Sequence, residues 1–418
     1  MASPADGKAT SPARATFNRE RNIRYWLRCL RTLLPTEYTS NDLNRTSLAF
    51  FCVNSLHILG ELGRLTTDAE RASWIAWLYR CQHPRGGFRG SPGTDLGEAL
   101  SDANAIWDPA TLPGTFFSLI TLLALGDDLT QVHRVETLRW LPTLQRPDGS
   151  FAEMHTSKDG ESDATAVRDP RFSYLAAAVR WMLRGEEGSL EEEVPDVDVD
   201  LAVRFLQSIE AYDGGFGGRP GSESHAGHTF CVIAALALFD RLHPPPIPTS
   251  TTSPPAIYGL PHPSETIHWL VLRQQPLTPK PTDSTSLSEY HTATHLSPLP
   301  PPFPPPPTHN GFNGRANKRT DTCYSFWVIA SLDLLRQSHL LDAESNRAFL
   351  LEETAHVIGG FGKWAGAPPD VLHSCLGLVS LALMREEGMN RADSALCAPL
   401  QTRERLESLP WRKKKTTE

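Results

Sequence analysis

The chain has no surplus of positive charge: 40 Lys and Arg stand against 48 Asp and Glu, a formal net charge of −8. That balance argues against nucleic acid as a partner, and the one basic run, Arg412 to Lys415, reads as a short solvated tail. Long apolar runs are also missing. No stretch approaches the roughly 18 to 20 residues of a spanning helix, and MASPADGKATSPARATF lacks the apolar middle of a secretory signal. Stable membrane insertion is therefore not expected, and a cytoplasmic location is. Cysteine is sparse: seven residues, odd in number and widely scattered, which excludes a disulfide framework and leaves most of them as small buried hydrophobes. Convincing alternating strands are absent too.

Helical periodicity is abundant. NIRYWLRCLRTLL places Ile23, Trp26, Leu27, Leu30 and Leu34 at three- and four-residue spacing, as one buried helix face requires. Similar patterns recur in SLAFFCVNSLHIL, SWIAWLYRC, GTFFSLITLLAL, FSYLAAAVRWML, HTFCVIAALALFD, CYSFWVIASLDLL and CLGLVSLALM. The chain reads as all-α. With 418 residues, 40% of them apolar, it can bury a sizeable core.

A glycine phrase punctuates the helices: PRGGFRG near Gly87, RPDGSFAE near Gly149, AYDGGFGG near Gly215, HNGFNGRAN near Gly311 and IGGFGKW near Gly360. Three of the intervals are about 50 to 65 residues and each phrase precedes an apolar helix, the unit of stacked helical hairpins. Closed into a double ring, such hairpins set every phrase at one rim, where loop amides and helix N-termini favour anions. The long fourth interval holds two Pro/Ser/Thr-rich tracts, which read as disordered surface insertions at about 242–262 and 276–309, with ETIHWLVLRQQ between them as the missing outer helix. Residues 1–16 read as a disordered tail, 17–390 as the barrel and 391–418 as a C-terminal tail.

At GRANKRTDTCYSFW, residues 314 to 327, cations precede an acid, a thiol and aromatics. Taken alone, the stretch is satisfied by Asp321 capping a helix, Cys323 filling its core face, and Arg315, Lys318 and Arg319 in solvent. A zinc reading needs a third ligand, since catalytic zinc sites commonly use three protein ligands and an open position. His373 in PPDVLHSCLGL is the candidate, because a closed ring makes its helix a neighbour of that of Cys323.

These phrases, with GGFGGRPGSESHAGHTFC and RTSLAFF, resemble the β-subunits of protein prenyltransferases, and among them the type I geranylgeranyl class, from about Phe17 to Glu386 apart from the insertions. The resemblance implies an α/α barrel working as a heterodimer with a helical-repeat α-subunit. It implies zinc held by Asp321, Cys323 and His373, and an isoprenoid diphosphate held by His225, Arg315, Lys318 and Tyr324. It further implies an isoprenoid pocket with Trp327 and Phe51, and Arg171 and Tyr174 at the protein-substrate end of the cavity. Ser47 falls where farnesyl enzymes carry a Trp, and the space left by a small residue favours a twenty-carbon donor. Lys363 falls where they carry a magnesium-holding Asp, so an ammonium replaces the ion and magnesium is not required.

The implied reaction transfers a geranylgeranyl group from geranylgeranyl diphosphate to the cysteine of a C-terminal CaaX motif, X preferably Leu, on proteins such as Rho/Rac/Rap-type small GTPases. Two departures concern the acceptor: Thr111 and Val167 stand where the family has a His and a Glu that help bind the substrate carboxylate. The alternatives are a farnesyl or Rab geranylgeranyl β-subunit, and a non-catalytic zinc-containing scaffold that binds prenylated or Cys-terminal proteins. A terpene-cyclase-like barrel would carry an acidic proton-donor motif, and none is found.

Overall fold

A computed structural model describes residues 15–155, 168–186, 188–190, 193–244, 256–277 and 309–413. The apolar segments form helices that alternate between an outer and an inner ring. In chain order they are α1 (Arg19–Arg31), α2 (Arg45–Ile58), the single turn α3 (Leu62–Leu65), α4 (Asp68–Arg80), α5 (Leu112–Ala124), α6 (Arg134–Thr143) and α7 (Pro170–Arg184). They continue with α8 (Val199–Ser208), α9 (Ala226–Leu238), α10 (Pro263–Val271), α11 (Thr322–Leu334), α12 (Ala343–Ala348), α13 (Val371–Leu383) and α14 (Leu400–Ser408). Each of α2, α5, α7, α9, α11 and α13 packs on the next, and α13 packs back on α2, so the inner ring closes. This is the α/α barrel that the repeats imply.

Sequence decides which ring a helix joins. Helix α9 is apolar almost all round and buries ten of its residues, from Ala226 to Leu238, as a helix walled on every side must. Helix α8 buries only a stripe of Ala202, Val203, Phe205 and Leu206 and turns its other face outward.

The glycine phrases link the repeats. In each the aromatic is fully buried: Phe88, Phe151, Phe216, Phe312 and Phe361 are all 0% exposed. The backbone N–H groups of Phe88, Phe216 and Phe361 donate to Thr115, Thr229 and Ser374 on the following inner helices, at 2.9, 3.0 and 2.8 Å. Gly149 and Gly359 have φ of +88° and +93°, and a Cβ on either would collide with backbone of the neighbouring outer helix, at Leu201 of α8 and Arg21 of α1. Both the backbone angle and the close approach require glycine. The contact of Gly359 with α1 also joins the last repeat to the first.

The segment beyond residue 390, expected as a tail, is built into the barrel as far as residue 412. Residues Ala392–Asp393 pair antiparallel with Ala398–Pro399, and the hairpin is buried, Leu396 at its tip and Ala398 in its second strand at 1% exposure each. It plugs the end opposite the glycine phrases. Tyr174 Oη donates to the Ala395 carbonyl (2.8 Å) and Asn54 Nδ2 to the Cys397 carbonyl (2.9 Å). An eight-residue plug is too short to carry a period, which is why the pattern of the sequence did not show it.

The second insertion leaves and returns through a two-stranded ladder, Gln274–Pro276 against Asn310–Phe312. Residues 245–255 and 278–308, the bulk of the two tracts expected to be disordered, lie outside the described residues, as do residues 1–14.

Candidate metal centre and adjoining cavity

The inner helices all begin at one rim, and their caps supply the chemistry. The N-caps of α9, α11 and α13 are His225, Asp321 and Asp370, whose side chains accept the N–H groups of Gly227, Cys323 and His373. Capping uses one acceptor atom of each: Asp321 and Asp370 keep a second carboxylate oxygen for Lys363 and His373, and His225, which caps through Nδ1, keeps Nε2–H as a donor.

Asp321, Cys323 and His373 come together, each buried, with one ligand atom from each lying within 4.8 Å of the others. The link between α11 and the next phrase explains why. Thr322 N–H donates to the Lys363 carbonyl (2.9 Å) and Thr322 Oγ1 to the Gly362 carbonyl (2.6 Å), drawing the start of α13 against α11. His373 Nε2 lies 3.2 Å from Asp321 Oδ1, while His373 Nδ1 is 2.6 Å from Asp370 Oδ2. Tyr38 Oη in turn donates to Asp370 Oδ1 (3.2 Å).

The electrostatics call for a cation. Burial pushes the Cys323 thiol well above its ordinary pKa, and the Asp321 carboxylate pushes it further. Burial works against a charged His373, yet hydrogen bonds to Asp321 and Asp370 lift it to about 9. One carboxylate, one sulfur and one imidazole are a donor set suited to zinc, and a carboxylate against the far ring nitrogen, as Asp370 stands to His373, fixes the tautomer of a metal-binding histidine. The residues present therefore fit the ion.

The residues expected to hold an anion divide. His225 Nε2 lies 3.0 Å from Tyr324 Oη, and burial lowers its pKa to about 4, with nearby His228 and Arg315 adding to the effect. Arg315 lies against Glu223 (3.0 Å), and Lys363 Nζ stands 3.8 Å from Asp321 Oδ2 and over the Trp364 ring. Lys318 is exposed on the Arg315 loop, its N–H donating to the Arg315 carbonyl (3.4 Å).

A cavity of about 580 Å³ adjoins His225, within the about 300–1,000 Å³ usual for small-molecule sites. Tyr174, Phe117, Phe172 and Trp327 line it, with Arg171 on its polar side. Arg171 is paired with Asp169 (2.6 Å). Ser47 and Phe51 lie one turn apart on α2, both half-buried, and the Phe51 ring packs 6.0 Å from that of Phe117. Thr111 is the N-cap of α5, its side chain accepting the Gly114 N–H (3.0 Å). Val167 lies outside the described residues.

Four residues were missed by the sequence reading. Asp370 was legible as an acid three positions before a helical histidine. Glu153 and His228 line the cavity, and Trp364 stacks under both Lys363 and Arg319. Nothing local in the sequence announces these last three.

The prenyltransferase alpha-alpha toroid domain model matches residues 17–398. The β-subunit of a geranylgeranyl transferase type-1 from Arabidopsis thaliana is 31% identical over 398 residues, 94% of this chain and 91% of that one. The corresponding subunit from Dictyostelium discoideum is 28% identical over 88% of this chain and 90% of that one, and a protein farnesyltransferase β-subunit from Schizosaccharomyces pombe is 27% identical over 88% and 79%. The solved structure of Candida albicans protein geranylgeranyltransferase-I complexed with GGPP matches in fold with a TM-score of 0.73 at 23% identity, covering 94% of this chain and 99% of that one.

Proposed function

The chain belongs to the prenyltransferase α/α toroid family, and on that premise we propose that it is the catalytic β-subunit of a zinc-dependent protein geranylgeranyltransferase of type I. It pairs with a helical-repeat α-subunit and transfers a geranylgeranyl group to the cysteine of CaaX proteins, with Leu preferred last. The observation that carries this reading is the meeting of Asp321, Cys323 and His373 at the rim where His225 and Trp327 line the aromatic cavity.

When bound, zinc supplies the positive charge that ionises an acceptor thiol near neutral pH, against a free pKa of about 8.5. Asp321, Cys323 and His373 hold the ion, and Asp370 keeps the imidazole oriented. His225, Arg315, Lys318, Tyr324 and Lys363 hold the diphosphate and stabilise the charge it gains as its bond to the first isoprenoid carbon breaks. A thioether forms at that carbon, and the Tyr174 and Trp327 wall keeps water from it. Ser47 leaves room for the twenty-carbon donor, and Lys363 stands in for magnesium.

Coexpression with a candidate α-subunit, metal analysis and single-turnover transfer with both donors test the reading. Bound zinc, geranylgeranyl preferred over farnesyl, and full rate without magnesium are expected. A clear farnesyl preference moves the chain to the farnesyl class. Inactivity with zinc and both substrates bound makes it a scaffold.

A further inference from the structure

At the plugged end of the barrel five of the six inner helices, all but α7, finish in a left-handed residue, and the residue types differ round the ring. The position is Gly60 after α2, Gly126 after α5 and Asp240 after α9, but Arg336 (φ +61°) after α11 and Arg385 (φ +64°) after α13. Glycine is at home in that conformation, whereas a long L side chain is disfavoured. Two neighbouring helices thus carry arginine against local preference.

Both arginines open onto a cavity of about 370 Å³ that also presents Arg391 and Arg403. Its two acids are engaged. Asp393 pairs with Arg403 (2.9 Å), and Asp333 accepts from Ser394 Oγ (2.6 Å) and Ser338 Oγ (3.1 Å). Among the described residues, Arg336, Arg385 and Arg391 have no ion-pair partner. A helix C-terminus alone attracts a cation, but Arg391 lies outside any helix, and backbone N–H groups already take the Ser331, Leu332 and Asp333 carbonyls of α11 and the Ser380, Leu381 and Ala382 carbonyls of α13. On a chain of net charge −8 this is a local excess of cation.

We propose that this cavity binds a compact polyphosphate group, either soluble or the phosphorylated headgroup of a lipid. Exposed guanidinium forks that line one cavity from two helix ends and from the residue before the plug match an anion with many oxygens better than a single carboxylate. The site is separate from the diphosphate seat, since the 13 residues of α11 put about 20 Å between the two ends of that helix. An anion there ties the 392–399 plug to the ends of α11 and α13.

The test uses the chain copurified with its α-subunit and tripolyphosphate as probe, read by calorimetry. Wild type is expected to bind at two places. R336G/R385G should weaken one of them at least tenfold while R315A/K318A spares it, so failure of the catalytic reading is distinguishable. Because glycine suits both left-handed positions, R336G/R385G should unfold at a temperature no lower than wild type when no anion is present. Phosphatidylcholine vesicles with and without a phosphoinositide bisphosphate separate the sources. Retention on phosphoinositide vesicles that R336G/R385G abolishes assigns a headgroup, and tripolyphosphate binding alone assigns a soluble ligand. Unchanged binding of both probes by R336G/R385G, or binding of neither by wild type, overturns the proposal.

Discussion

Helices α5 and α11 begin in the same way and do different work. At α5 the cap is Thr111, whose hydroxyl oxygen accepts one N–H at 3.0 Å. At α11 the cap is Asp321, which accepts the Cys323 N–H at 2.9 Å and also approaches His373 and, through its second oxygen, Lys363. The backbone is the same, and what differs is the charge and the acceptor capacity left after capping. A repeat fold offers six such rim positions, and a site arises where successive caps carry that surplus.

The sharpest break in the comparison comes from removing a ligand on one side and a cap on the other. Cys323→Ala is expected to lose the metal and to slow transfer by at least ~10²-fold, beyond what outer partners alone cost. Thr111→Ala should cost about 1 kcal/mol of stability and leave metal content unchanged. Metal analysis with thermal unfolding separates the two. Equal metal content in both variants would mean that Cys323 is not a metal ligand and that the α11 rim holds no more than the α5 rim does.

Asp370→Asn is the next step down. It keeps an acceptor for the His373 N–H but removes the charge beside Nδ1, so zinc affinity should fall about 10- to 100-fold with the fold intact. Competition with a chelator measures this.

The ring was legible because each repeat announces itself twice, by a helical period and by a glycine phrase. The stretch 314–327 by itself left Asp321 a plain helix cap, since nothing in DTC says where the next helix lies, and it was the family resemblance that set Asp321, Cys323 and His373 together as zinc ligands. Asp370 carried a signal, an acid three positions before His373, but that signal fits a plain helix cap equally well, and its role shows only once His373 is turned toward Asp321. The plug at 392–399 escaped for another reason: Leu396, Cys397 and Ala398 fill the end of a ring, and a hole in a tertiary structure leaves no periodic trace.

Ser47→Trp tests the other half of the ring. Ser47 does not itself line the cavity, but it stands one turn from Phe51, whose ring packs on the cavity-lining Phe117, so on the proposed reading an indole there shortens the space for the donor. Overpacking of about 1–3 kcal/mol against the longer donor corresponds to a shift of roughly 5- to 150-fold toward farnesyl diphosphate. Competition between the two donors reads it out, and an unchanged ratio would remove α2 from the donor pocket.

The smallest effect is a matter of pH, and it compares two histidines directly. His225 on the α9 rim and His83 in the first glycine phrase both have pKa values lowered to about 4, chiefly by burial, from an ordinary 6.5. Below pH 6.5 the unfolded chain takes up protons that the folded chain refuses, so their contribution is present above that pH and drains away toward pH 4. Each should cost roughly 1–2 kcal/mol at pH 5, seen as a falling unfolding temperature. A bound diphosphate analogue changes only one of them: a neighbouring anion favours the imidazolium, so the His225 pKa should rise while that of His83 stays, as NMR titration of the two rings would show. If both rings move together, the distinction between the two arcs of the rim fails at its most local point.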